Sequence, residues 1–266
     1  MNRSNYHTHT VFCDGSDSPE ELVLEAIRLG CPEIGFSGHS CLEIDTGSMS
    51  PDGTGKYCAE IQRLKAQYAE KINILLGIEQ DYYSELPQKE SFDYIIGAVH
   101  YVNKDGILCP VDETREQFLK TVEDLYHGDF YSFAEDYYAT VADLYRKTRC
   151  NVIAHFDLIT KYNVGNVLFD TMNPRYVEAA DAALDSLMES PAILEINTGA
   201  MARGYRKEPY PEQRILKRWL DAGRTVILSS DCHDKRMLLF GFEGIAGEFP
   251  KPELLLQRMP DFGTET

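Results

Sequence analysis

Ser4-Asn-Tyr-His-Thr-His-Thr10, followed by Ser18-Pro-Glu-Glu21, reads as a short strand ending in polar side chains and then the start of a helix. Ser18 suits the cap, Pro19 the first helical position, and Glu21 completes a capping box. The helix is expected to reach Leu29, where Gly30 stops it. This strand–helix unit then recurs. Glu33–Ser37 is a second strand, closed by Gly38-His39. A loop rich in Gly, Ser and Asp spans residues 41–55, and a helix covers 56–71. Asn73–Glu79 is a third strand and Asp93–Val99 a fourth, ending at His100. One or two helices fill 114–147. Asn151–Ala154 is a fifth strand ending at His155, and a helix covers 173–189. Ala192–Ile196 is a sixth strand ending at Asn197, and a helix covers 211–222. Thr225–Ser229 is a seventh strand, ending in Ser230-Asp231-Cys232-His233.

Seven strands alternating with helices predict a parallel sheet. At 266 residues the expectation is an α/β fold, a closed or nearly closed barrel forming one domain over 1–266. No Gly-rich loop follows the first strand, which argues against a dinucleotide-binding fold. Hydrophobic residues, at 43%, suffice for a large core. The net charge of −17 disfavours nucleic acid or an anionic membrane as partner. It leaves room for a small anionic substrate, because bound divalent ions invert the local field. Seven cysteines, an odd number with no Cys-x-x-Cys pair, read as free thiols in a reducing cytoplasm. No signal peptide and no apolar run long enough to span a bilayer is read.

The histidines carry the functional signal. His7, His9, His39, His100, His155 and His233 fall at or just after strand ends, the catalytic face of an α/β barrel; only His127 does not. Glu79 and Asp231 occupy equivalent positions, and Asp14 lies in the loop after the first strand. Residues two apart on a strand point the same way, so His7 and His9 can serve one ion, and so can Asp231 and His233. Imidazole with carboxylate suits Zn, Mn or Fe, and a carboxylate such as Glu79 can bridge two ions. Singly, each has an ordinary reading: a His-x-His on a surface, a hydrogen-bonded strand-end His, Asp14-Gly15 as a turn. Six of seven histidines at one end of one sheet point to a metal site. Cys232 alternates away from its neighbours.

These motifs resemble the PHP (polymerase and histidinol phosphatase) superfamily. The matching segments are His7-Thr-His9-Thr with Cys13-Asp14-Gly15, Phe36-Ser-Gly-His39, Glu79, Gly97-Ala-Val-His100, Ala154-His155-Phe-Asp157 and Ser230-Asp231-Cys-His233. Glu195-Ile-Asn197-Thr-Gly, Arg203-Gly, Pro209-Tyr-Pro211 and the run from His155 to Lys161 are similar to the monofunctional histidinol-phosphatases within it. The resemblance implies a distorted TIM-like (β/α)7 barrel and a trinuclear divalent metal site of Zn, Mn or Fe. One ion would take His7, His9, Glu79 and Asp231, a second Glu79, His100 and His155, and a third Asp14, His39 and His233. Many relatives have a histidine where this chain has Asp14; Asp17 is the alternative ligand.

The reaction so implied is hydrolysis of L-histidinol phosphate, a step of histidine biosynthesis, by metal-activated water. Arg203 is the candidate phosphate contact, ahead of Arg206, because a guanidinium matches phosphate bidentately. Asp231 or its neighbour His233 would relay the proton to the leaving group. Asn197 and Asp157 are candidate substrate contacts, with the 118–138 segment a possible source of aromatic faces and core packing the ordinary role of its rings. Another phosphomonoester or a nucleotide is the competing substrate. An amidohydrolase would place a lysine where Glu79 stands, and a non-catalytic relative would have lost ligands.

Overall fold

The computed structural model describes residues 3–262. Its main sheet comprises β1 (Glu33–Phe36), β2 (Asn73–Asp81), β3 (Tyr94–Ala98), β6 (Val152–Ile153), β7 (Ile193–Asn197), β8 (Val226–Ser229) and β9 (Leu255–Leu256), in that spatial order. Every adjacent pair is parallel. Two further strands, β4 (Tyr101–Lys104) and β5 (Ile107–Pro110), form a separate antiparallel hairpin.

The expected first strand is instead an extended segment with only isolated bridges, Asn5 to Ile34 and Thr8 to Cys232. It nonetheless closes the curled sheet. Asn5 and Thr8 carbonyls accept from Gly35 and Ser37 on one side (2.8 and 3.0 Å). On the other side, the His9 N–H donates to Cys232 at 2.8 Å and the His7 carbonyl accepts from Cys232 at 3.1 Å. Lower down, β9 occupies the flank of β8, pairing Val226 with Leu255. The result is the expected distorted barrel, with its seam shared by two short segments.

Helices α1 (Pro19–Arg28), α2 (Pro51–Gln67), α3 (Arg115–Tyr126), α4 (Phe130–Thr148), α5 (Pro174–Met188) and α7 (Gln213–Asp221) connect the strands; α6 (Gly199–Ala202) and α8 (Phe242–Gly247) are shorter. The capping box of Ser18 and Glu21 forms. Helix α2 starts five residues before its expected first residue, Lys56, because Ser50 caps Gly53 and Pro51 takes the first position. That local chemistry overrides the poor helix propensity of Gly53 and Gly55. His127 ends α3 in the left-handed region, φ 54°, and among the described residues joins none of the groups that could hold an ion.

The inward row of each strand changes character along its length. At one end Tyr6, Tyr94, Ile96, Val152, Ile193 and Ile227 pack into a small apolar cluster. Tyr94 fills this space and donates to the Phe36 carbonyl at 3.0 Å and to the Tyr6 carbonyl. Gly77 makes room for it, since a Cβ there would sit 2.3 Å from the tyrosine ring. At the other end the same rows turn polar: Leu75 and Gly77 lead to Glu79 and Asp81, and Ile193 leads to Glu195 and Asn197.

Candidate metal centre

Six histidines and the carboxylates of Glu79, Asp231 and Asp14 meet at that polar end. Glu79, at the centre, presents Oε2 to His7 Nε2 at 3.2 Å, His9 Nε2 at 3.5 Å and His39 Nδ1 at 3.0 Å. Its Oε1 lies 3.1 Å from His155 Nε2 and 3.5 Å from His100 Nε2. Asp231 Oδ1 stands 3.2 Å from His9 Nε2 and 3.7 Å from His7 Nε2. Asp14 Oδ2 lies 3.0 Å from His233 Nε2, and its Oδ1 lies 3.6 Å from both His9 Nδ1 and His39 Nε2.

Asp14 reaches this point because its turn folds back on the histidine segment. Cys13 and Gly15 N–H groups both donate to the Thr10 carbonyl. A Cβ on Gly15 would come within 2.5 Å of the His9 carbonyl carbon, so the turn requires glycine. Asp17 faces elsewhere, accepting from the Lys235 backbone at 2.8 Å and pairing with its ammonium at 3.0 Å. Cys232 also turns away, its thiol donating to the Asp234 carbonyl.

The donor set fits divalent ions. His7 Nε2, His9 Nε2 and Glu79 Oε2 are buried and lack any hydrogen-bond partner, although they converge within bonding distance of one another. A buried polar atom without a partner is costly, and a shared cation is the natural partner for these three. Among the described residues three groups have the geometry to hold an ion: His7, His9 and Glu79; His39, Glu79 and His100; and His9, Asp14, His39 and His233. His9 and His39 thus each stand between two groups, a sharing that the strand-end positions alone do not reveal.

The electrostatics agree. Burial works against ionising Glu79, but His7, His39 and His100 outweigh it and hold the carboxyl well below its usual range. Asp231 is likewise held low against its burial, chiefly by Arg203 and His7. His9 is pushed down to about 3 by burial and by His233 and His39, so it is neutral and able to ligate. His7 and His39 go the other way: burial opposes their charge, but Glu195 and Glu79 respectively lead the carboxylates that raise them. Buried carboxylates at this density need cations, and protons on histidine or metal ions can both fill that role.

A cavity of about 370 Å³ opens over the cluster. Arg203 enters from one wall, donating to Asp231 Oδ2 at 3.0 Å and approaching His233 Nδ1 at 3.0 Å. The cavity lining also includes Asp45, Asp112, Glu113, Tyr101, Lys161 and Tyr205. Lys161 Nζ pairs with Asp112 Oδ2 at 3.1 Å and lies 5.0 Å from the Tyr205 ring centre.

Two expected substrate contacts do not reach this cavity. Asp157 is fully buried; its Oδ2 accepts from the Glu212 backbone at 3.0 Å, because β6 ends at Ile153 and the chain turns before Asp157 can follow the strand's alternation. Asn197 is also buried and braces the carboxylates, donating to Glu195 at 2.9 Å. Arg206 stacks on the Tyr210 ring, its guanidinium 4.3 Å from the ring centre, and bonds Thr160. The rings of 118–138 such as Phe118, Phe133, Tyr137 and Tyr138 pack in the core.

Sequence reasoning missed the groups that brace the ligands and line the walls. Asp81 accepts from the His100 N–H at 3.0 Å, and its Oδ2 lies 3.3 Å from His100 Nδ1. It follows Glu79 by two residues on β2, a visible signal of a shared face. Asp112 and Glu113 follow the β4–β5 hairpin, whose turn Asp105-Gly106, with φ of 51° and 86°, is itself a legible hairpin sequence.

Comparison with known proteins places this arrangement. The PHP domain model matches residues 5–199. A Schizosaccharomyces pombe protein named as a probable histidinol-phosphatase is 29% identical over 248 residues, covering 85% of this chain and 79% of its own. The crystal structure of Listeria monocytogenes HisK superimposes with a TM-score of 0.78 at 20% identity, covering 91% of this chain and 99% of that one. The Lactococcus lactis histidinol phosphate phosphatase, crystallised with zinc, L-histidinol and phosphate, gives a TM-score of 0.62 at 22% identity over 88% of this chain and 87% of that one.

Proposed function

The chain belongs to the PHP domain family, and on that premise we propose that it is a metal-dependent phosphatase hydrolysing L-histidinol phosphate to L-histidinol and phosphate in histidine biosynthesis. The observation that carries the reading is the cavity's mixed lining. The cavity is lined by the metal donors and Arg203 and also by Asp45, Asp112, Glu113, Tyr101 and Tyr205, with Lys161 paired to Asp112. A phosphate whose organic part carries an ammonium and an imidazole matches both kinds of lining. The relatives' names and the Lactococcus complex support the same substrate.

Three divalent ions (Zn, Mn or Fe) would be held by His7, His9, Glu79 and Asp231; by Glu79, His100 and His155; and by Asp14, His39 and His233. Such ions, when bound, make hydroxide available near neutral pH and offset phosphoryl charge. Arg203 has the planar donor fork to hold the phosphoryl group in line. Asp231, kept ionised by Arg203, His7 and its other neighbours, is in the form that ligates an ion, and bound ions rather than a basic Asp231 would make the attacking water acidic. The water oxygen bonds to phosphorus, the ester bond to the alkoxide breaks, and the proton released by that water passes to the alkoxide through Asp231 or His233. Among the described residues no helix is long and apolar enough to cross a membrane. All seven cysteines are unbonded, which fits work in a reducing cytoplasm.

The test is phosphate release from a panel of phosphomonoesters and nucleotides, on protein of measured metal content. L-Histidinol phosphate should exceed every other substrate in kcat/KM by orders of magnitude, and chelation should abolish turnover until Zn or Mn is restored. Preferred hydrolysis of a nucleotide would replace the substrate; full activity of metal-free protein would overturn the metal reading.

A further inference from the structure

Strand β7 contributes none of the proposed metal ligands, yet Glu195 at its middle is fully buried beneath them. Its Oε1 lies 2.6 Å from His7 Nδ1. Its Oε2 accepts from the backbone N–H of His155 at 3.0 Å and from Asn197 Nδ2 at 2.9 Å. The orientation of Asn197 is fixed independently, because its Oδ1 accepts from the Gly199 N–H at 2.8 Å. Two of the three groups facing the carboxylate are therefore donors by necessity, and the third, His7 Nδ1, meets an oxygen that can only accept.

We infer that Glu195 is a positioning residue: it fixes His7 as a ligand through Nε2 and ties that histidine to the chain carrying His155. With Nδ1–H given to Glu195, the lone pair of His7 lies on Nε2. That is the buried atom without a partner, 3.2 Å from Glu79 Oε2. A metal-binding imidazole held through its other nitrogen by a carboxylate is oriented and made more basic, and losing such a partner typically weakens metal binding about 10- to 100-fold. Here one carboxylate also anchors the backbone at His155, so it governs ligands proposed for two different ions. The inference rests on the metal reading above and adds to it a residue that touches no ion.

Glu195→Gln probes this directly. An amide has one acceptor and one donor end, so it either sets one N–H against another or leaves His7 to accept at Nδ1 and carry its proton on Nε2, the ligating atom. Zinc affinity, measured by competition with a chromophoric chelator, should fall about 10- to 100-fold. The visible spectrum of the Co(II)-loaded variant should change with the altered ligand field. Wild-type affinity and an unchanged Co(II) spectrum in a folded Glu195→Gln protein would overturn the inference. If that variant does not fold, 15N NMR of histidine-labelled, zinc-loaded wild type decides: His7 protonated at Nδ1 and bound through Nε2 supports it, and binding through Nδ1 overturns it. Wild-type protein that binds no zinc would instead remove the metal reading itself, so the two failures are distinguishable.

Discussion

The two ends of the barrel interior are built from the same strands and obey opposite rules. At the end holding Tyr6, Tyr94, Ile193 and Ile227, the inward side chains are apolar and shape decides what fits. Two to four residues further along, the same rows hold Glu79, Asp81, Glu195 and Asn197, and charge decides. The apolar end is complete within the protein, since Tyr94 fills the space left by Gly77 and spends its hydroxyl on the Phe36 and Tyr6 carbonyls. The charged end is incomplete by itself, with His7 Nε2, His9 Nε2 and Glu79 Oε2 left unpaired. Stability and reactivity are thus separated by position along a strand.

Substitutions at the two ends should therefore fail differently. Gly77→Ala should have the largest effect on folding, because its Cβ would sit 2.3 Å from the Tyr94 ring. Overpacking of this kind costs about 1–3 kcal/mol or more, read as a lower thermal midpoint. A wild-type midpoint would show that the apolar end yields more easily than its packing implies. Arg203→Ala should do the reverse, lowering kcat/KM by tens-fold or more, about 2 kcal/mol, with metal content and midpoint near wild type. Equal loss of activity and stability would blur the division between the ends.

Glu212 gives the smallest effect and a sharper test of charge burial away from the metal groups. Burial and the neighbouring Asp157 raise its carboxyl to about 7. The folded protein therefore holds this proton more tightly than the unfolded chain, so the residue costs stability as pH rises from about 4.5 towards 7. Glu212→Gln removes that cost and should raise the thermal midpoint by a few degrees, a gain of about 1 kcal/mol, at pH 8 but little at pH 4.5. A midpoint difference independent of pH would show that Glu212 does not titrate in this window.

The sequence showed the barrel and its reactive face because both depend on local patterns. Apolar runs of strand length bounded by Gly and polar residues mark the strands, and His39, His100, His155 and His233 stand just beyond them. What it hid depends on where the chain goes after a strand ends. Asp157 looks like a strand-end residue, but a turn buries it against the Glu212 backbone. Glu195 is visible as a carboxylate within an apolar run, yet its job is set by His7, 188 residues away in sequence. The hairpin of β4 and β5 is signalled by Asp105-Gly106, but the surrounding alternation of strands and helices masks it by favouring parallel pairing. The two-residue β9 has too little sequence to announce itself.

The seam of the barrel sets a schedule for biosynthesis. His7 and His9 leave the ribosome more than two hundred residues before Asp231 and His233, yet their segment finds its second edge only at Cys232. A chain still being made can pair that segment with β1 and can assemble Glu79, His39 and His100 around it. It cannot seal the ring or fix Asp14 against His233 until translation has passed β8. Folding that proceeds from the N-terminus must therefore hold two imidazoles in waiting. The finished centre becomes a checkpoint that only a chain synthesised past His233 can pass.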